Sequence, residues 1–430
     1  MRGAEGDFPP IERQDSPLNH TERRESPRQH PRGATSLLDE IASVGRDRVR
    51  GGYSRHAFDA AEGELRTWFI ERAGRLGLDV ETDRNGNLWA WWGTPGPDAV
   101  VTGSHLDSVP GGGAFDGPLG VLSALDAVAT LQTKGFVPAK PFAVVVFAEE
   151  EGGRFGVPCL GSRLLAGTID ADKARALRDT DGVTLAEAAA RVGLAPQRFG
   201  ADPETMARIG RFIELHVEQG RGLIDLGSPV AVGSTVIAHG RWRFSFRGQG
   251  NHAGTTLIGD RHDPMLPAAA VITAARRVAA TLGDARATVG RLVPTPGGTN
   301  VITSTVDLWL DARAPGDDRT RALVDEITEV ATEAALAEGC VVIVSEESYS
   351  NTVRFDASLR DGLKGRLGGV PELATGAGHD AGVLAAFVPS GMLYVRNPTG
   401  VSHAPEEFAE TEDVEHGARA LADILENLST

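Results

Sequence analysis

Five separated segments of this chain place a histidine or an acidic side chain at the end of an apolar run or in the turn that follows it. The segments are residues 104–108, 115–117, 149–152, 215–220 and 401–403. The apolar runs are typical of buried strands, and helical stretches separate several of them. Strands that alternate with helices predict an α/β fold with a mostly parallel mixed sheet, and such sheets bind ligands beyond the carboxyl ends of their strands. We therefore expect the five segments to meet at one edge of one sheet.

The pattern of the sequence changes between residues 236 and 346. Aromatic residues alternate with polar ones over 241–247, and this period of two marks a strand with one solvent-exposed face. Helices are predicted at 264–282 and 318–338, and a last strand begins near 341. The order β-α-β-β-α-β predicts a small ferredoxin-like α+β domain inserted into the larger one.

The chain is too long, at 430 residues, for one ordinary core. We predict a catalytic domain in two parts, 35–235 and 347–430, with the inserted domain at 236–346. Residues 1–34 are rich in Pro, Arg, Glu and Ser and nearly lack aliphatic side chains, so we expect them to be disordered.

The bulk composition excludes several classes of function. A net charge of −16 argues against binding to nucleic acid or to an anionic membrane surface. No apolar run is long enough to span a bilayer, and the N-terminus lacks the apolar core of a signal peptide. The two cysteines, Cys159 and Cys340, rule out a disulfide framework and a cysteine-type zinc site. We therefore expect a cytoplasmic protein.

Three adjacent carboxylates, Glu149, Glu150 and Glu151, follow an apolar run that ends at Phe147. They repel one another unless a cation is present. One of them can bind a metal while its neighbour acts as a general base towards water. A solvated charged face is the alternative interpretation.

The remaining residues of the five segments are weaker indicators when taken singly. His105 with Asp107 could be a surface turn, although a histidine ligand needs an acceptor for its second ring nitrogen. Asp116 could be a helix N-cap. His216 and His403 could be ordinary core or surface histidines.

Taken together, three imidazoles and at least three carboxylates form a ligand set for two divalent cations. Because every ligand is nitrogen or oxygen, zinc, manganese, cobalt and nickel all suit the site. The sequence thus predicts a two-metal hydrolase.

A second polar group lies in or near the predicted inserted domain. It contains His252, Asn300 and Arg313, and a Gly-rich turn at 376–381 carries His379. The guanidinium of Arg313 can bind a carboxylate through two hydrogen bonds. Each of these residues could equally be an ordinary surface residue.

The motifs together resemble those of the M20 metallopeptidase clan, within its amidase/hydantoinase/carbamoylase branch. The matching segments, in chain order, are 105–108, 112–117, 149–152, 214–220, 251–256, 376–381 and 402–403. They span about residues 100–405 and leave the N-terminal tail uncovered.

The resemblance implies a role for each residue. Two divalent ions would bind per subunit, and their ligands would be His105, Asp116, Glu151, His216 and His403. Asp116 would bridge the two ions. The ions would be Mn²⁺ or Zn²⁺, and Co²⁺ and Ni²⁺ are the alternatives. The catalytic residues would be Glu150 as general base, Asp107 as the residue that orients His105, and His252 as a donor to the oxyanion. The substrate would contact Gln219, Asn300 and Arg313, with Gly378 and His379 nearby. The inserted domain would close over the cleft and form the interface of a homodimer, in which a residue of the partner chain can complete the site.

The resemblance also implies a small anionic ureido substrate. Branch members cleave ureido or amide C–N bonds of small carboxylic acids, and the overall likeness favours allantoate, with release of ammonia and CO2. N-Carbamoyl-L-amino acids and β-ureidopropionate remain open, as do N-formyl and N-acyl amino acids and peptides. Pro264 and Ala404 depart from the usual residues of the branch, and both touch loops that bear on specificity.

Overall fold

The computed structural model describes residues 33–430, which form fifteen strands and thirteen α-helices. The strands are β1 (Asp79–Thr82), β2 (Leu88–Trp92), β3 (Ala99–His105), β4 (Phe142–Phe147), β5 (Ile209–Val217), β6 (Val230–Val236), β7 (Ala238–Arg247), β8 (Asn251–His252), β9 (Arg286–Thr295), β10 (Val301–Ile302), β11 (Thr305–Ala314), β12 (Val341–Ser350), β13 (Val353–Arg354), β14 (Glu372–Thr375) and β15 (Ser390–Val395). The helices are α1 (Ala34–Ile41), α2 (Ala60–Arg75), α3 (Pro118–Thr133), α4 (Leu160–Ala166), α5 (Ala171–Ala176), α6 (Leu185–Arg191), α7 (Pro203–Met206), α8 (Gly222–Leu226), α9 (Met265–Thr281), α10 (Asp317–Ala337), α11 (Ala357–Arg366), α12 (Asp380–Leu384) and α13 (Thr411–Leu428).

Ala34 begins α1 and is fully buried. The predicted tail, residues 1–34, therefore lies outside the described residues except for its last two. Among residues 33–430, no helix is both long enough and apolar enough to cross a membrane.

Nine strands form the large sheet, in the order β1-β2-β4-β3-β5-β15-β6-β13, with β14 paired to β6. The central pairs β4-β3, β3-β5 and β5-β15 are parallel, and so is β14-β6. The pairs β1-β2, β2-β4, β15-β6 and β6-β13 are antiparallel. The predicted mixed sheet is therefore present with a parallel centre, but half of its eight strand pairs are antiparallel. The β1–β2 hairpin supplies two of these antiparallel pairs, and β6 supplies the other two.

Alternate residues of the central strands face two separate hydrophobic cores. In β4, Val144 and Val146 pack in the core that contains α3 and α13. Val145 and Phe147 point to the other face and pack with Phe212. Because helices and loops cover both faces, every residue of β3 and β4 is buried, and these strands therefore read as continuous apolar runs.

The inserted segment has the predicted β-α-β-β-α-β order. Its strands form an antiparallel sheet in the order β12-β7-β11-β9. In β7, Trp242, Phe244 and Phe246 are buried against α9 and α10, while Arg241 and Arg243 are exposed. A separate two-stranded sheet joins β8 to β10.

Candidate metal centre

The five predicted ligand residues meet at the carboxyl edge of the central parallel strands. His105 is the last residue of β3, and His216 is the last but one of β5. Glu151 follows β4, Asp116 precedes α3, and His403 follows β15. Since parallel strands end at the same edge of a sheet, their loops bring these side chains together.

Glycine is required where the chain passes His105. Gly117 lies between Asp116 and α3 with a φ of 82°. A Cβ at this position would overlap the imidazole ring of His105. The absence of a side chain therefore lets Asp116 lie next to the ring.

The first ligand group consists of His105, Asp116 and His216, whose ligand atoms lie within 4.8 Å of one another. Asp116 Oδ1 is 3.5 Å from Nε2 of His105 and 3.2 Å from Nε2 of His216. The Nδ1 atoms lie 3.0 Å and 2.9 Å from the carbonyl oxygens of Asp107 and Val217. Each Nδ1 therefore carries the hydrogen, and each Nε2 presents its lone pair to the group.

The second ligand group consists of Asp116, Glu151 and His403. Nε2 of His403 is 3.5 Å from Asp116 Oδ2 and 3.2 Å from Glu151 Oε2. Asp116 thus offers one oxygen to each group. A carboxylate in this position would be able to bridge two cations.

The charges of the cluster act strongly on one another. Burial lowers the pKa of His105, but the carboxylates of Glu150 and Asp116 outweigh it and raise the pKa well above its ordinary value. Burial raises the pKa of Asp116, but His216 and His105 outweigh it and bring the pKa well below its ordinary range. Nε2 of His105 and Nε2 of His216 are buried without a hydrogen-bond partner in residues 33–430. Imidazole nitrogens that lack a hydrogen-bond partner and lie beside carboxylate oxygens are suitable ligands for a divalent cation.

Glu150 lies beside the first group, with Oε2 3.5 Å from His105 Nε2. Burial raises its pKa well above the ordinary value, His105 opposes the shift, and Asp380 and Glu151 reinforce it. A buried carboxylate with a raised pKa is suited to accept a proton from water near neutral pH.

The side chain of Asp107 binds the backbone within the three adjacent glutamates, Glu149–Glu151. Its carboxylate oxygens accept the N–H groups of Glu150 and Glu151, each at 3.1 Å. The carboxylate is 3.6 Å from His105 Nδ1, and the carbonyl oxygen of Asp107 accepts the hydrogen bond from the ring instead. Asp107 therefore orients His105 through its backbone and Glu150 through its side chain.

Gln219 and His379 border the two groups. Nε2 of Gln219 donates to Asp116 Oδ2 at 2.8 Å. The buried ring of His379 lies 4.5 Å from that of His216, and burial together with His216 holds its pKa well below the ordinary value. Gly378 lies beside Cys159, whose Sγ would be 4.0 Å from a Cβ at that glycine.

Arg313 lines a cleft of about 660 Å³ together with Gln219 and His403. Asp311 accepts hydrogen bonds from its Nε at 2.8 Å and its Nη2 at 3.1 Å, and the carbonyl of Gly376 accepts one from Nη1. A guanidinium has five N–H groups, so two remain for a ligand carboxylate.

His252 lies in β8 and Asn300 directly precedes β10, and the N–H of Ala253 donates to the carbonyl of Asn300. The N–H of Gly254 donates to Nδ1 of His252 at 3.0 Å, so the neutral ring carries its hydrogen on Nε2. Both residues are exposed. Within residues 33–430, neither side chain has a hydrogen bond or ion pair to the two ligand groups.

Sequence reasoning missed Glu407 and Cys159. Glu407 accepts the backbone N–H of Asp116 at 3.0 Å, and the Sγ of Cys159 donates to Glu150 Oε1 at 3.1 Å. The position of Glu407 four residues after His403 was the one local signal, and neither contact follows from spacing along the chain.

Comparison with known proteins places the motifs in a family. Peptidase family M20/M25/M40 matches residues 101–427. The chain is 38% identical to the N-carbamoyl-L-amino acid amidohydrolase of Geobacillus stearothermophilus, over 89% of this chain and 95% of that relative. It is 31% identical to the allantoate amidohydrolase of Bacillus subtilis, over 92% and 97% of the two chains. The crystal structure of an amidase of the hydantoinase/carbamoylase family from Burkholderia multivorans superposes with a TM-score of 0.81 at 29% identity, and the match covers 92% of this chain and 97% of that one.

Proposed function

Since the chain belongs to peptidase family M20/M25/M40 and is a hydrolase that acts on C–N bonds, we propose that it is a metal-dependent amidohydrolase of small ureido carboxylates. The observation that carries the proposal is the position of Asp116. One oxygen faces His105 and His216, and the other faces His403.

We propose that two divalent cations bind at this edge. His105, Asp116 and His216 would hold one, and Asp116, Glu151 and His403 the other. The nitrogen and oxygen donors suit Mn²⁺ or Zn²⁺, with Co²⁺ and Ni²⁺ as further candidates. Bound cations supply Lewis acidity, which polarises the ureido carbonyl and makes water a stronger acid.

The chain's own residues would perform the proton transfers and bind the substrate. Glu150 would take a proton from the water that attacks the ureido carbon and return it to the leaving nitrogen as the C–N bond breaks. Nε2–H of His252 would donate to the oxyanion. Arg313 would bind the substrate carboxylate with its two remaining N–H groups, assisted by Asn300 and Gln219.

We place N-carbamoyl-L-amino acids first among the substrates and allantoate second. The 38% identical relative is named for the former, and a 31% identical relative for the latter. Both substrates present a carboxylate to Arg313 and a ureido group to Glu150. The sequence motifs favoured allantoate, but both substrates carry the groups that the proposed site would bind. Both are therefore included in the activity assay.

The test is ammonia release by the Mn²⁺-loaded enzyme on allantoate and on a panel of N-carbamoyl-L-amino acids. A chelated sample serves as the control. We expect metal-dependent turnover of at least one ureido carboxylate. Turnover confined to N-acyl or N-formyl amino acids or to dipeptides would contradict the ureido assignment while keeping the metal chemistry.

We also propose that the inserted domain forms a homodimer and completes the site. Exposed apolar side chains on this domain favour an interface, and they include Leu257, Ile258 and Leu266. Within residues 33–430, His252 and Asn300 have no hydrogen bond or ion pair to the ligand groups, so closure of the domain or a partner chain would have to complete the contact. Light scattering in solution tests the dimer, and a monomer at micromolar concentration would contradict it. A cytoplasmic location stays a prediction.

A further inference from the structure

We propose that Cys159 is a positioning residue for Glu150. Its thiol holds one carboxylate oxygen of Glu150 and turns the other towards the first ligand group. The inference rests on the proposed function, because it takes Glu150 to be the base.

The side-chain geometry divides the two oxygens of Glu150 between two neighbours. Sγ of Cys159 donates to Oε1 at 3.1 Å. Oε2 lies 3.5 Å from Nε2 of His105. Cys159 and Glu150 are 2% and 5% exposed, and among residues 33–430 the thiol is the hydrogen-bond donor to this carboxylate. A carboxylate tied at one oxygen keeps the other in a fixed direction.

The backbone holds Cys159 in place for this contact. Its N–H donates to the carbonyl of Glu150 at 2.6 Å, and the N–H groups of Leu160 and Gly161 donate to the carbonyls of Glu149 and Ala148. The start of α4 is therefore bonded to residues 148–150, which directly follow β4. These bonds satisfy N–H groups that the first turn of a helix leaves free.

Cys159 adopts a left-handed backbone conformation, with φ 54° and ψ 37°, and Glu149 also has a positive φ of 54°. Residues other than glycine rarely adopt this conformation, and it persists where the surroundings impose it. The fold thus maintains an unfavourable backbone conformation in each of the two bonded stretches, and the conformation of Cys159 sets the direction of its thiol.

A thiol suits this role because it is a weak donor that carries no charge. Burial, with the charges of Glu150 and Asp380, holds the pKa of the Cys159 thiol well above its ordinary value, so the sulfur keeps its hydrogen. The carboxylate is oriented without the strong stabilisation of its charged form that an ammonium or guanidinium group would give.

Kinetics of matched variants test the proposal on the best ureido substrate. Cys159→Ala removes the donor, and we expect kcat to fall about tenfold with KM within about twofold and metal content unchanged. Cys159→Ser restores a donor of similar size and should recover most of kcat. Cys340→Ala, which removes the other buried cysteine, should behave like the wild type. The proposal would be overturned if Cys159→Ala kept the wild-type kcat or changed KM alone. It would also be overturned if Cys159→Ser recovered none of the lost kcat.

A spectroscopic measurement tests the contact without any substrate. In the Cys340→Ala background Cys159 is the one remaining thiol, because the chain has two cysteines. Its infrared S–H stretching band should move to higher frequency when Glu150→Gln replaces the carboxylate by a weaker acceptor. An unmoved band would overturn the proposal. If the wild type hydrolyses no ureido substrate while the band moves, the proposed function fails and the contact stands.

Discussion

The carboxylate of Glu407 accepts a hydrogen bond from the backbone N–H of Asp116 at 3.0 Å, although the two residues are 291 positions apart in the chain. The same oxygen accepts the N–H of Phe115, also at 3.0 Å. Glu407 is buried. The residue that both ligand groups share is therefore held in place by the segment that follows β15.

Replacing Glu407 by alanine should weaken both folding and metal binding. The change leaves two N–H groups without their acceptor, and each costs about 1–3 kcal/mol when buried. We expect a lower Tm and a lower metal content by elemental analysis. Glu407→Gln keeps an acceptor oxygen and is the matched control. A Glu407→Ala protein with wild-type Tm and metal content would contradict the role of Glu407.

Neighbouring glutamates should separate catalysis from metal binding. Glu150→Gln cannot accept a proton, so we expect kcat to fall about a hundredfold or more while metal content is retained. Glu151→Gln removes a ligand of the second group and should lower the metal content itself. Elemental analysis beside steady-state kinetics measures both. Substantial turnover by Glu150→Gln would refute its assignment as the base.

Arg313→Gln should raise KM for ureido carboxylates about tenfold and leave kcat little changed, because it removes charged hydrogen bonds to the substrate carboxylate. A substrate whose carboxylate is replaced by an amide should not distinguish the variant from the wild type. Arg291→Gln is a control on the same sheet, where Arg291 packs over Trp309. An equal loss on both substrates would show that Arg313 acts in some other way.

Asp126 should make folding stability depend on pH. Its pKa is raised to about 6 by burial and by the charge of Glu415, while its oxygen accepts the N–H of Gly33. A raised pKa means that the folded protein holds the proton more tightly than the unfolded chain. Asp126 therefore stabilises the fold below about pH 4, and this contribution is lost as the pH rises through 6.

Asp126→Asn keeps the acceptor and cannot ionise. We expect the metal-free variant to exceed the wild type by about 2 kcal/mol in unfolding free energy at pH 8 and by much less at pH 4.5. Urea denaturation at the two pH values measures the difference. An advantage of equal size at both pH values would argue against the titration of Asp126.

Local patterns were sufficient for the elements that carry the site. The apolar runs before His105 and Glu149 are strands because they are buried on both faces, and burial on both faces leaves an unmistakable composition. The alternation around Phe244 predicted a strand with one exposed face, and β7 has that pattern. Local patterns do not predict the order and direction of the strands in the sheet, because strand pairing is decided by contacts between segments that are far apart in the chain. The predicted mixed sheet is therefore present, but four of its eight strand pairs are antiparallel where the sequence predicted mostly parallel pairing.

The sequence by itself determined the buried strands that end at the site, the alternating strand β7, the helices α9 and α10 and the residue types at the strand ends. These depend on burial and periodicity within short windows. Only the tertiary structure decided that Asp116 turns one oxygen to each ligand group and that Asp311 accepts two hydrogen bonds along one edge of Arg313. It also decided that Glu407 holds the backbone of Asp116 and that Cys159 holds the side chain of Glu150. The reason is physical: such contacts join segments far apart in the chain, and their directions depend on how the sheet closes around them.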